Sequence, residues 1–169
     1  MESPIHIRQV QLGDLEEIIG IEQLNFSEEE VLGPEVLKAE IERIPDTFLI
    51  ADLNGEIAGY VVSSAISSHH QPGELLPRRI ENIEKTSIIA LHRLSVNPNF
   101  KGQGIGTLLL AVMKEVTVAK RAWGICLTCP YHLLSYFEMN GFRDEGILED
   151  KSGKILSFEM LWENPYLRS

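Results

Sequence analysis

Residues 88–110 read IIALHRLSVNPNFKGQGIGTLLL, and their order decides the fold. An apolar run ends at Val96, Asn97-Pro98-Asn99 turns the chain, glycines stand at Gly102, Gly104 and Gly106, and a regular amphipathic pattern continues from there. Strand, glycine-rich loop and helix therefore follow one another. Glycines let a ligand approach the backbone closely. The N–H groups at a helix start, with the helix dipole behind them, favour an anion. A phosphate-bearing ligand is expected against residues 102–107.

Two well-known phosphate loops do not fit this stretch. A P-loop needs G-x-x-x-x-G-K-[ST], but Gly106 is followed by Thr107-Leu108. A dinucleotide fingerprint needs G-x-G-x-x-G with an acidic residue about 20 positions on. Here the spacing is G-x-G-x-G, and the strand after the helix ends in Thr128-Cys129.

Outward from the stretch, a helix is expected over 104–120, with Ile105, Leu108, Leu109, Val112, Met113 and Val116 as its core stripe and Lys120-Arg121 at its negative pole. Residues 123–128 read as a strand, 131–139 as a helix stopped by Asn140-Gly141, and 142–148 with 154–162 as a hairpin around Asp150-Lys151-Ser152-Gly153. Towards the N-terminus, 47–53 and 56–66 are strands joined by Asn54-Gly55, a strong hairpin signal. Ile5 to Val10 alternates like a half-buried strand, Gly13-Asp14 offers a cap for a helix carrying Leu15, Ile18, Ile19 and Glu22, and Pro34 opens a second helix. An acidic loop carrying Phe26 lies between those helices, and residues 67–86 form a long connection of the functional or mobile kind.

The chain has 169 residues, 44% apolar and 24% charged, which suits one soluble globular domain. No apolar run reaches the roughly 18 residues of a membrane span, and no secretory signal is visible at Met1-Glu2-Ser3-Pro4, so a cytoplasmic protein is expected. A net charge of −10 disfavours a nucleic-acid partner. The same charge would weakly attract small cations such as amines. Cys126 and Cys129 form C-x-x-C within an apolar run without further ligands at zinc spacing, so they read as buried thiols. His69-His70 sits in a polar loop without a carboxylate–histidine partner, and no metal is expected.

The third reading of the glycine loop does fit. VNPNFKGQGIGTLL resembles the acyl-CoA pyrophosphate signature of the GNAT acetyltransferases, [QR]-x-x-G-x-[GA] after a strand ending V-x-P, with Lys101 at the Gln/Arg position. Tyr136-Phe137-Glu138-Met139-Asn140-Gly141-Phe142 follows at the family's spacing. Within the superfamily the chain is most similar to the arylalkylamine N-acetyltransferases. That likeness rests on Ile21-Glu22 with Phe26, on Phe26 and Pro34, on Leu91-His92-Arg93-Leu94-Ser95-Val96, and on Leu156-Ser157-Phe158-Glu159. The resemblance implies a mixed α/β single domain over residues 1–169. Its core would be a central, mostly antiparallel sheet of about seven strands flanked by about four helices.

It also implies the chemistry. An amine attacks the thioester of acetyl-CoA directly, so the ammonium must lose a proton, the oxyanion must be stabilised and the thiolate must leave. The resemblance gives His92 the base's role. Backbone groups of Leu94, Ser95 and Val96 would serve the oxyanion and the pantetheine arm, and Lys101, Gly102, Gln103, Gly104, Ile105, Gly106 and Thr107 the pyrophosphate. Phe137 would line the CoA sulfur, and Phe26, Pro34 and Phe158 an aromatic slot for the amine. Two departures stand out: Ala90 replaces the first histidine of an H-x-H pair, and Phe137 replaces the usual tyrosine acid. The expected activity is acetyl transfer to a small primary amine, an aryl- or alkylamine. The alternatives are a polyamine or protein amine acceptor, or a CoA-binding module with little catalysis. Monomer and homodimer both stay open.

Overall fold

The computed structural model describes residues 4–43, 45–66 and 87–167. Its elements run in chain order as β1 (His6–Gln9), α1 (Leu15–Asn25), α2 (Pro34–Arg43), β2 (Phe48–Leu53), β3 (Glu56–Ile66), β4 (Ile88–Val96), α3 (Ile105–Ala119), β5 (Gly124–Cys129), α4 (Leu134–Met139), β6 (Arg143–Glu149) and β7 (Ile155–Glu163). The seven strands form one sheet in the order β1-β2-β3-β4-β5-β7-β6. Neighbours β1–β2, β2–β3, β5–β7 and β6–β7 are antiparallel, while β4–β5 is parallel. A parallel pair needs a crossover, and α3 supplies it. Sheet and helices are those expected of the mixed α/β fold. Residues 67–86, with the His69-His70 pair, lie outside the described residues. Among the described residues no helix is long and apolar enough to cross a membrane.

By internal contacts the chain divides into two compact units, Met1–Ser64 with His92–Met113, and Ala65–Leu91 with Lys114–Ser169. In the first, α1 and α2 bury Ile18, Ile21, Leu37 and Ile41 against Phe48, Ile50, Ile57, Tyr60 and Val62 of the β2–β3 hairpin. That hairpin turns on Asn54 and Gly55, with φ of 55° and 85°. The primed turn type requires positive φ at both positions. The start of α3 lies close to β3. A Cβ at Gly59 would come within 2.8 Å of the Ser95 carbonyl oxygen and 2.9 Å of Ile105 Cγ2. Only glycine admits that approach.

The stripe that α3 buries is rotated from the expected one. Ile105, Leu109, Leu110, Met113 and Thr117 are fully covered, whereas Leu108, Val112 and Val116 are half-buried. Positions four apart drift only about 40° around the helix, so 105, 109, 113 and 117 run down the centre of one face, with the others beside it.

In the second unit Ile88, Ala90, Cys126 and Leu161 form a small core with Ile66 and Trp123 packed against it. The closing hairpin of β6 and β7 is held by Asp150, whose Oδ1 accepts from Ser152 N, Ser152 Oγ and Lys154 N. The helix expected over 131–139 is two pieces, a 3-10 turn at Tyr131–Leu133 and the α-helix α4. Cys126 and Cys129 are buried thiols outside any disulfide, as expected. Burial pushes the Cys126 thiol up to about 12.

Candidate functional site

The glycine loop is built in the first unit by the end of β4. Asn97 accepts from Asn99 N on its Oδ1 (3.1 Å) and donates its Nδ2 to Ile57 O (3.0 Å), while its backbone N–H reaches Ala58 O (2.8 Å). A single 3-10 turn, Pro98–Phe100, carries the chain into the exposed segment Lys101–Gly104. Gly102 and Gly104 have φ of 82° and 76°, and a Cβ on either would meet nothing within 4 Å. The first bond into α3 is Leu108 N to Gly104 O, 3.0 Å. The amides of Gly104, Ile105 and Gly106 thus stand ahead of the helix ladder at its positive pole. An open backbone turn with left-handed glycines at the start of a 15-residue helix could hold an anion. Lys101 adds a cation beside it.

Upstream on β4, His92 is exposed and its Nε2 lies 2.7 Å from Ser64 Oγ on β3. Ser95 is buried. Asn25, the last residue of α1, donates Nδ2 to Ser95 Oγ and to Val96 O, both at 2.8 Å. The end of α1 and the strand end that precedes the glycine loop are therefore tied by one side chain.

Glu22 is fully buried in α1. Its Oε1 accepts from Leu32 N (2.9 Å) and Arg93 Nε (3.3 Å), and its Oε2 accepts from the Tyr60 hydroxyl (2.5 Å). A buried carboxylate needs such partners. Burial, and then the Glu22 carboxylate, push the Tyr60 phenol well above its ordinary value. Arg93 also donates Nη2 to Glu30 O at 2.5 Å, and its guanidinium carbon lies 3.7 Å over the centroid of Phe26. Phe26 is half-buried and lines a cleft of about 460 Å³ with Gln23, Glu28 and Val31. Pro34 is exposed at the first position of α2.

Phe137 and Phe158 belong to the second unit. Phe137, buried on α4, packs edge-on against Tyr136 (5.2 Å) and Phe142 (5.7 Å). Phe158, half-buried on β7, meets the exposed ring of Tyr131 at 5.9 Å. Among the described residues no group of three or more His, Cys, Asp or Glu side chains is arranged to hold a metal ion.

The first unit thus brings together the glycine loop, the strand 92–96 and Phe26. Sequence reasoning missed the side chains that hold them: Asn25, Tyr60, Ser64, Arg93 and the carboxylate of Glu22. One signal was available, an acidic residue at a position of α1 where the apolar period points inward.

A family model described as the acetyltransferase (GNAT) family matches residues 15–130. The chain belongs to that family. An uncharacterised N-acetyltransferase of Methanocaldococcus jannaschii is 31% identical over 81 residues, which span 48% of this chain and 30% of that protein. Among solved structures, the loading GNATL domain of CurA from Lyngbya majuscula superposes with a TM-score of 0.79 at 17% identity, over 97% of this chain and 100% of that one. The PaiA N-acetyltransferase of Thermoplasma acidophilum, solved in complex with coenzyme A, superposes with a TM-score of 0.69 at 20% identity, over 95% of this chain and 99% of that one. At these identities the two structures bear on the fold.

Proposed function

We propose that this chain is an acetyl-CoA-dependent N-acetyltransferase that passes the acetyl group by direct attack to a small primary amine, an aryl- or alkylamine. The observation that carries the reading is the open turn Lys101–Gly104 at the start of α3, directly behind the strand segment 92–96. We assign the pyrophosphate of CoA to the amides between Gly102 and Thr107, including those of Gln103 and Ile105, with Lys101 beside them. Main-chain groups of Leu94, Ser95 and Val96 would take the pantetheine arm and the thioester oxygen. The ties from Asn25 to Ser95 and Val96 support that role, because they hold this backbone in one place.

In the reaction the amine nitrogen forms a bond to the acetyl carbon, the carbon–sulfur bond breaks, and the sulfur leaves as thiolate. His92 takes the proton that the ammonium must lose, directly or through water, with the Ser64 hydroxyl orienting its ring. Phe137 has no hydroxyl, so the thiolate is protonated from water. The cleft beside Phe26, with apolar Phe26 and Val31 and polar Gln23 and Glu28, suits an amine with a hydrophobic body. Phe137 and Phe158 are assigned to the thiol and to the amine by the family resemblance alone.

The deciding experiment incubates the protein with acetyl-CoA and tryptamine, spermidine or a peptide with a free N-terminus, and follows free thiol. Release with tryptamine supports the reading. Release with spermidine or the peptide alone moves the acceptor class. Thermal stabilisation by CoA without thiol release from any amine leaves a CoA-binding module instead, the alternative that Ala90 and Phe137 motivate.

A further inference from the structure

Arg93 makes more contacts than an ion pair needs. The Glu22 carboxylate already holds Tyr60 and Leu32, and Arg93 Nε completes its set. The rest of the guanidinium is spent on the loop between α1 and α2: Nη2 holds the Glu30 carbonyl, and the planar face covers the ring of Phe26. A rigid fork that can stack and donate in two directions at once is a property of arginine that lysine lacks.

The strand period sets the consequence. Successive side chains of β4 alternate between faces, so Arg93 projects away from its neighbour His92. The segment proposed to carry the base is thereby locked, through its next residue, to the loop that walls the cleft of Gln23, Phe26, Glu28 and Val31. The positive charge is met by Glu22 at 3.3 Å, so the stacked guanidinium presents little repulsion to a cationic amine entering beside Phe26.

We propose that Arg93 is a positioning residue for the acceptor: it clamps the loop 26–31 onto β4 and so sets the shape and place of the cleft that the amine's apolar body enters. The acceptor half of this inference rests on the acetyltransferase reading above, while the clamp itself does not.

The test uses the full chain with Arg93→Ala, Arg93→Lys and Phe26→Leu. Hydrogen exchange at the amides of Glu30, Val31 and Leu32 is expected to speed up about tenfold in R93A, with the Asn54-Gly55 hairpin unchanged as internal control. With tryptamine as acceptor, KM should rise about tenfold while kcat stays within about threefold, and CoA affinity by calorimetry should stay put. R93K should recover part of both effects, because it restores a cation to Glu22 but neither the stack nor the fork. Phe26→Leu removes the stacked ring without leaving Glu22 uncompensated, so R93K and F26L carry the test should R93A fail to fold. Unchanged exchange at 30–32 overturns the clamp, and loosened exchange with an unchanged KM overturns the acceptor role. If the wild type acetylates no amine, the acetyltransferase reading and the acceptor role fall together, and exchange still decides the clamp.

Discussion

The hydroxyl of Tyr60 donates to Oε2 of Glu22 across 2.5 Å, joining the middle of β3 to a carboxylate that no solvent reaches. Removing the hydroxyl with Tyr60→Phe leaves one carboxylate oxygen without that donor, and a loss of roughly 1–2 kcal/mol is expected in urea unfolding. The pair also makes stability depend on alkaline pH. Because the phenol is held above its ordinary 10.0 in the folded chain, its contribution is complete below pH 10.0 and is lost as the pH rises beyond it. Unfolding curves between neutral pH and pH 11 should show this decline in the wild type and a weaker one in Y60F.

The acid side has its own reporter. Arg8 donates Nη1 and Nη2 to the two oxygens of Asp14, each at 2.8 Å, and these bonds hold the Asp14 carboxyl below its ordinary 3.8. A lowered carboxylate stabilises the fold above the unfolded value and stops doing so as the pH falls through the folded one. Asp14→Asn should therefore cost stability at neutral pH and flatten the decline below pH 3.8 expected of the wild type, with thermal unfolding as the measurement.

Gly104 tests the anion cradle apart from the rest of the fold. Its φ of 76° strains any side chain, yet a Cβ there meets no neighbour within 4 Å. Gly104→Ala should cost about 1 kcal/mol of stability and weaken CoA binding about tenfold by calorimetry, through displaced amides. An affinity equal to the wild type's would remove the loop from the cofactor site.

For His92 the expected outcome is kinetic. His92→Ala should lower kcat/KM with the best amine of the panel about 100-fold and abolish the acidic limb of its pH profile. Ser64→Ala should shift that limb and cost less, since the hydroxyl acts through the ring at 2.7 Å. A profile that survives His92→Ala intact would take the base's role away from it.

The elements that sequence reasoning found are those with local causes. Asn54-Gly55 dictates a primed turn, Gly102 and Gly104 mark a left-handed loop, and the period of α3 marks a helix whatever surrounds it. What it missed depends on residues far apart in the chain. Glu22 meets Tyr60 and Arg93 at separations of 38 and 71 residues, and Asn25 meets Ser95 at 70, so no local pattern announces these pairs. The centre of the α3 stripe shifted for a related reason. Which of its apolar residues lie deepest is decided by the sheet beneath, where Gly59 admits Ile105 and Leu109. The candidate site was accordingly readable as a backbone, the strand and its glycine loop, and unreadable as a set of side-chain partners.

The state of the two thiols bears on the order of events. Cys126 and Cys129 are the chain's two cysteines; both are buried, and burial raises both thiols above their ordinary value. Neither offers a thiolate on which an acyl group could rest between donor and acceptor. Under the direct transfer proposed above, donor and amine occupy the protein together, as a ternary complex. Initial-rate lines drawn at several fixed amine concentrations should intersect; parallel lines would demand a covalent carrier other than a cysteine.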